Sequence, residues 1–302
     1  MSKPVLDAAQ SVFFSRELER IETKLYEVKY ADLEAEMLLP SRVQVPAGVD
    51  KYTFRTFDKR GKAVPMAGHE NGAPTVDVDG EEDSAPMMSW ADAYRFNVEE
   101  IAAASHNGVP LTDMRAMAAR RALAEALNSM ALKGYSPKNI KGLFNMSNTL
   151  TGSVATGVGG FLWTQKTSDE ILVDLFQMAD SIANATIDIE SPKRLVLPKS
   201  SIRLLSSKRL SGSASDRTVL EFFQAQRPGL QIMGANYLDT AGAGSSKRAV
   251  VYDPAQVNWL VSIPFEQMPV EQQGFSFVVN MRARGGGVVS PYPKSVLYID
   301  GF

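Results

Sequence analysis

The 302-residue chain has no cysteine, and this one absence excludes disulfide staples, thiolate metal sites, thiol nucleophiles and iron–sulfur ligation. Histidine is nearly absent too. His69 and His106 are the only two, and neither has a serine or carboxylate at a motif spacing. No H-E-x-x-H zinc pattern and no G-x-S-x-G nucleophile elbow occurs. Nowhere do about 18 consecutive apolar residues offer a membrane span, and the opening Met1-Ser2-Lys3-Pro4-Val5-Leu6-Asp7 lacks the apolar stretch of a secretory signal. Charge of one sign is also missing: 32 Lys+Arg stand against 34 Asp+Glu, a net of -2, so no excess draws the chain onto nucleic acid or an acidic membrane. These absences predict a soluble protein of the cytoplasm, or of something assembled there. They leave it without metal, cofactor or membrane partner.

What is present suits a folded core. Hydrophobic residues make up 44% and charged residues 22%, the range of globular proteins. The length fits about two domains, or one with long excursions, and the pattern favours the second. Phe14, Leu18, Ile21, Leu25 and Val28 recur at spacings of four and three, which places them on one stripe of a helix. This helix precedes any compact domain, so its stripe must pack on the parent domain or on a neighbouring subunit. From about Val43 to Val98 the pattern turns to short alternation. Tyr52-Thr53-Phe54-Arg55-Thr56-Phe57 leads into the turn Asp58-Lys59-Arg60-Gly61, as a strand enters a hairpin. Lys62 follows, then glycines, prolines and the acidic run Asp77, Asp79, Glu81, Glu82 and Asp83. A stretch with strand ends and a polar tip reads as a projecting two-stranded arm. The alternative is a long surface loop, uncommon without a function.

A spine helix is predicted over about Thr112 to Lys133, with Thr112 or Asp113 to cap it, alanines inside and Gly134 to end it. Asn139 to Trp163 reads as a Gly/Ser/Thr-rich loop. Thr167 and Glu170 form a capping box for a helix through Ile171, Leu175, Met178 and Ile182. A strand at Arg194 to Leu197, a short helix from Ser200 or Ser201, and a helix capped by Asp216 and running to Phe223 follow. Further strands fall at Leu230 to Met233, Ala249 to Tyr252, Val257 to Ile263, Phe275 to Arg282 and Ser295 to Ile299. The fold class is α+β.

The remaining patterns suggest little chemistry. Gly152 to Gly160 invites a phosphate-loop reading, but no Lys-Ser/Thr pair follows and the glycines do not fit G-x-G-x-x-G. A flexible loop accounts for them. Gly285-Gly286-Gly287 after Arg282 and Arg284 could form an anion nest; a bulge or turn between strands is the stronger reading. The acidic run lacks the remaining spacing of a calcium loop, and is read as a solvated or interface charge patch. No catalytic, cofactor-binding or metal residue is assigned. What stands out is two limbs that bury little in their own subunit, and whose ordering is offset only by landing on other subunits. The contact candidates are therefore Phe14, Leu18, Ile21, Leu25, Val28, Tyr52, Phe54, Phe57, Lys59, Arg60, Lys62, Asp77, Asp79, Glu81, Glu82 and Asp83.

The order of these features resembles the major capsid (coat) proteins of tailed phages with the Hong Kong 97 fold, which encapsulin shells share. The likeness is carried by Tyr52 to Tyr94 with Phe96-Asn97-Val98-Glu99-Glu100-Ile101, Asn128 to Gly134, Ile140-Lys141-Gly142-Leu143-Phe144-Asn145, Arg194 to Pro198, Thr218 to Phe223, and Arg284 to Gly301. It implies an N-terminal arm at 1–44, an extended loop at 45–98, a peripheral domain with the spine helix at 99–139, an axial domain at 140–265, and C-terminal strands at 266–302 returning to both. It also implies self-assembly into hexamers and pentamers of an icosahedral virion capsid enclosing double-stranded DNA without sequence-specific binding. Scaffolding, portal and decoration proteins and a maturation protease are implied partners, and the host bacterial cytoplasm is the place of assembly. One relative cross-links a loop lysine to an asparagine; Lys59 and Lys62 lie in the corresponding excursion, but no acceptor matches. An encapsulin-like compartment is the alternative within the fold. A hydrolase or nucleotide-binding enzyme using Gly152 to Gly160 is the alternative from another class. Replacing Leu18→Asp together with Leu25→Asp removes apolar burial of roughly 1.5–3 kcal/mol per leucine. The expected outcome, read by sedimentation and thermal melting, is weakened assembly with the subunit still folded.

Overall fold

The computed structural model describes residues 30–61, 75–100, 111–210 and 217–302. The chain divides into two units, Met1–Asp32 and Leu33–Phe302. Of the first, only residues 30–32 are described.

The second unit holds two five-stranded sheets. The first is built from β1 (Arg42–Gln44), β2 (Lys51–Arg60), β3 (Asp77–Asn97), β8 (Asn258–Gln273) and β9 (Ser276–Val289), in the order β1-β8-β9-β3-β2. The second contains β4 (Leu150–Ser153), β5 (Arg194–Pro198), β6 (Gln231–Ala235), β7 (Arg248–Tyr252) and β10 (Val296–Asp300), in the order β4-β10-β7-β5-β6. Helices are α1 (Ala35–Leu38), α2 (Leu111–Lys133), α3 (Ser168–Thr186), α4 (Lys199–Ser207) and α5 (Val219–Gln226).

Both faces of the second sheet are covered, which explains the unbroken apolar runs of its central strands. In β7 and β10, Val250, Tyr252, Val296 and Tyr298 face a core shared with α1, α2 and the first sheet. The alternate residues Ala249, Val251, Leu297 and Ile299 face a second core with α3, α4 and α5. Period-two alternation therefore feeds two cores from one strand. Tyr298 donates its hydroxyl proton to Leu143 O at 2.6 Å and accepts from Met146 N at 2.9 Å. Burial, opposed by the Met146 N–H and the Arg248 charge, raises its pKa well above the usual range.

Local signals explain the helices. Gly134 ends α2 at φ +74°, where a Cβ would meet Ile140 O at 2.3 Å. Thr167 and Glu170 close a reciprocal capping box on α3. Thr218 and Glu221 do the same on α5. The expected cap Asp216 lies outside the described residues, and the cap is Thr218, whose hydroxyl accepts the Glu221 N–H at 3.3 Å.

Leu150–Ser153, read as loop, is strand β4, because it pairs in parallel with β10 at the sheet edge. Of the bulge or turn expected at Gly285-Gly286-Gly287, the structure has the bulge: β9 runs through it, and the three-residue step from Gly285 to Val288 faces the two-residue step from Val261 to Trp259. Residues 33–44, expected in the arm, belong to the second unit. Leu38 and Leu39 are fully buried in the core, Ala35 N donates to Asn128 Oδ1 at 2.8 Å, and β1 pairs with β8. β8, from Asn258, belongs to the first sheet.

The glycines in β9 let a neighbouring backbone and the side chains of α2 approach. A Cβ on Gly287 would lie 1.9 Å from Lys141 O, and one on Gly285 would lie 3.1 Å from Leu127 of α2. Gly287→Ala is expected to destabilise the fold by roughly 3 kcal/mol. Gly48→Ala, which meets nothing within 4 Å, should stay within about 0.5 kcal/mol. Urea denaturation of the two variants checks both.

Candidate assembly interface

Strand β3 spends its 21 residues on two partners. Met87 to Asn97 pair with β9, inside the first sheet. Asp77 to Pro86 pair with β2, Arg60 to Lys51, as an antiparallel ribbon. The exchange falls at Pro86, which has no N–H to give, and Met87, whose N–H donates to Asp50 O at 2.9 Å. Ten residue pairs at about 3.3 Å each carry the ribbon roughly 33 Å.

Its root is built, and its length is not. At the root Val45, Met87, Leu260 and Val289 are buried, with Tyr52, Phe54 and Ala85 packed on them. Arg284 of β9 donates to Val49 O at 2.9 Å, Asp50 Oδ1 at 2.7 Å and Ser89 Oγ at 3.0 Å, fastening the chain where β2 begins. Farther out, every residue from Phe57 to Arg60 and from Asp77 to Ser84 is exposed.

Residues opposite one another in an antiparallel pair share a face. One face therefore carries Tyr52, Phe54, Thr56, Asp58 and Arg60 with Ala85, Asp83, Glu81, Asp79 and Asp77: five carboxylates and one cation. The other carries Lys51, Thr53, Arg55, Phe57 and Lys59 with Pro86, Ser84, Glu82, Gly80 and Val78: three cations and one carboxylate. Asp58 stands directly across from Asp79, a like-charge pair, and Arg60 reaches both, at 3.7 and 3.1 Å. Arg55 meets Glu82 at 3.2 Å. These ion pairs are exposed and worth little. Phe57 is 67% exposed and Val78 54%. The acidic face looks onto a cleft of about 570 Å³ whose other wall includes Asn139 to Lys141, Met146 to Asn148 and Ser290.

The structure thus brings together Phe57, Lys59, Arg60, Asp77, Asp79, Glu81, Glu82 and Asp83 on one open ribbon, while Tyr52 and Phe54 are half-buried at its root. Phe14, Leu18, Ile21, Leu25, Val28 and Lys62 lie outside the described residues, as do His69 and His106. Sequence reasoning missed Arg284 and Asp50 as a fastening, and no local signal could reveal it across 234 positions. At the other end of β3, Arg115 of α2 donates to Glu100 at 2.8 Å and to Arg95 O at 2.7 Å. That guanidinium and the Asn97 N–H hold the Glu100 carboxyl below the usual range.

The glycine-rich stretch makes no phosphate cradle. Gly157 and Gly160 bond to each other, and Val158 N donates to Glu170 at 2.8 Å. That N–H and the Thr167 N–H keep the Glu170 carboxyl below the usual range, so the start of α3 is satisfied by its own chain. Among the described residues no group of acidic or histidine side chains is arranged to hold a metal ion, and no helix is long and apolar enough to cross a membrane.

With a ribbon exposed on both faces along its outer length, rooted in a two-sheet α+β body, the chain has the Hong Kong 97-like fold. The chain belongs to the major capsid protein family, whose model matches residues 61–302. Among solved structures it is similar to the capsid of Myoviridae phage XM1, with a TM-score of 0.83 at 15% identity over 97% of this chain and 100% of that one. It is also similar to a protein of Mycobacterium phage Ogopogo (0.61, 14%, 98% and 99%). The virus-like particle from Pyrococcus furiosus is more distant (0.55, 12%, 87% and 91%). No curated protein matches. The protein is a structural capsid protein that assembles with itself into a shell, not an enzyme.

Arg284→Ala is expected to loosen the ribbon's root by about 1–2 kcal/mol, the worth of a hydrogen-bonded guanidinium. Hydrogen exchange should quicken at Lys51 to Arg60 and stay unchanged in α3.

Proposed function

We propose that the subunits form hexamers and pentamers of an icosahedral capsid around double-stranded DNA, and that the β2–β3 ribbon and the N-terminal arm grip adjacent copies. The observation carrying this reading is that both faces of the ribbon are exposed along its outer length. Ordered chain with no burial is unfavourable by itself, and a repeated heterologous contact supplies that burial while closing a ring. Opposite charge on the two faces gives each a different complement, which fixes the sense of docking. A net charge of -2 suits a wall that holds DNA without gripping it. Assembly in a bacterial cytoplasm, with scaffolding, portal and decoration proteins and a maturation protease, completes the proposal.

Sedimentation velocity and negative-stain microscopy of the full-length protein should show rings or closed particles. A compact monomer at high concentration would sink the reading. Particles isolated from the native source should hold nuclease-protected DNA; a protein filling would favour a cargo compartment instead.

A further inference from the structure

The charged residues of the β2–β3 ribbon divide at the cleft beneath it. Asp58, Arg60, Asp79, Glu81 and Asp83 line the cleft, whereas Lys51, Arg55, Lys59 and Glu82 do not. Register explains the split, because successive residues of a strand point to opposite faces, and Asp77 continues the cleft-side face at the ribbon's outer end.

Neither face is balanced. The cleft holds four carboxylates against two cations, Arg60 and Lys141. Arg60 is engaged by Asp58 and Asp79. Among the described residues Glu81 and Asp83 have no cation partner; Asp83 Oδ1 accepts the N–H of its neighbour Ser84 at 2.7 Å. On the far face three cations stand with one carboxylate, Glu82. Arg55 meets Glu82 at 3.2 Å, and Lys59 has no anion partner among the described residues.

Size and spacing narrow what can enter the cleft. Its volume of about 570 Å³ is that of a small-molecule pocket, so it admits a few side chains and no domain. The occupant is therefore a thin, projecting, cationic element, and the ribbon's own far face has those properties. Arg55 and Lys59 stand four residues apart on one strand, about 13 Å. Asp79, Glu81 and Asp83 cover the same length of the cleft-side face. Back to back on the same two strands, these faces cannot meet within one subunit.

We propose that the cationic face at the outer end of one ribbon enters the cleft of a second copy, setting Arg55 and Lys59 against Glu81 and Asp83. The contact joins unlike faces. Each copy gives one face and receives the other, so the contact is heterologous and propagates around a ring. This docking rests on the shell reading above and names the surface of the neighbour that the ribbon meets.

Charge reversal tests it from both sides. Arg55→Glu with Lys59→Glu puts carboxylates at both contact positions, and Glu81→Lys with Asp83→Lys puts lysines at both. Each double variant alone should raise the half-assembly concentration at least about tenfold, read by sedimentation velocity. The melting temperature of its dissociated full-length subunit should stay within about 3 °C of wild type, since the ribbon's own ion pairs are exposed. Mixed in equal amounts, the two variants should assemble nearly as wild type does, because every contact in an alternating six-membered ring again joins unlike charges. All four changes in one chain should do the same. Double variants that assemble normally, or impaired ones that neither mixing nor combination rescues, overturn the docking.

A second measurement needs no variant. Carbodiimide coupling of wild-type rings built from isotope-labelled and unlabelled chains should give peptide pairs of mixed label joining Lys59 to Glu81 or Asp83. Rings without such pairs overturn the docking while leaving the shell reading intact. Wild type that never forms rings or shells overturns the shell reading, and the docking with it.

Discussion

The structure depends on one strand doing two jobs. β3 is held on its second half by the central strand of the first sheet, and on its first half only by β2. Because a strand resists bending between registers, the buried half aims the exposed half. Pro86, Met87 and the three hydrogen bonds of Arg284 sit where the load passes from one partner to the other. The ribbon's direction is thereby tied to the body's fold and not to a loose loop.

That lever needs a rigid base, and the second sheet supplies it. Its central strands are buried on both faces, so a shift in register would move residues between two filled cores. Between the sheets, buried tyrosines and one arginine anchor the connections. Tyr298 holds Leu143 and Met146. Arg248 grips Asp300 in bidentate fashion at 2.7 Å and reaches Phe144 O at 2.6 Å. Near α3, Lys166 and Asp174 form a buried pair at 2.5 Å, completed by the Trp163 indole N–H at 2.9 Å and Ala155 O at 2.6 Å. Such a network is stable only when every member is satisfied. It fixes the loop before α3 against the helix it precedes.

Where local rules are broken, the exception marks the outside of the subunit. A ribbon with a like-charge pair across its strands and an exposed Phe57 are each unfavourable for a solitary molecule. Inside the body the reverse is seen: the Tyr252 and Tyr298 hydroxyls are bonded and Gly287 stands where another backbone comes close.

By itself the sequence determined the local elements, because helices and caps are encoded by neighbours. Thr167 with Glu170, Gly134 after the spine, and the alternation from Tyr52 to Phe57 could all be read from spacing alone. Absence of cysteine and of any catalytic pattern likewise pointed to a structural role before any contact was known. Tertiary structure decided what depends on distant partners. Residues 150–153 became a strand because β10 lies beside them. Gly287 was needed because Lys141 O comes within reach. The acidic run became one face of a ribbon only once register set Asp77, Asp79, Glu81 and Asp83 on the same side. Arg284 became its fastening across more than two hundred positions. Short-range periodicity records which side chains share a face; which surfaces then meet is fixed only when the whole chain has packed.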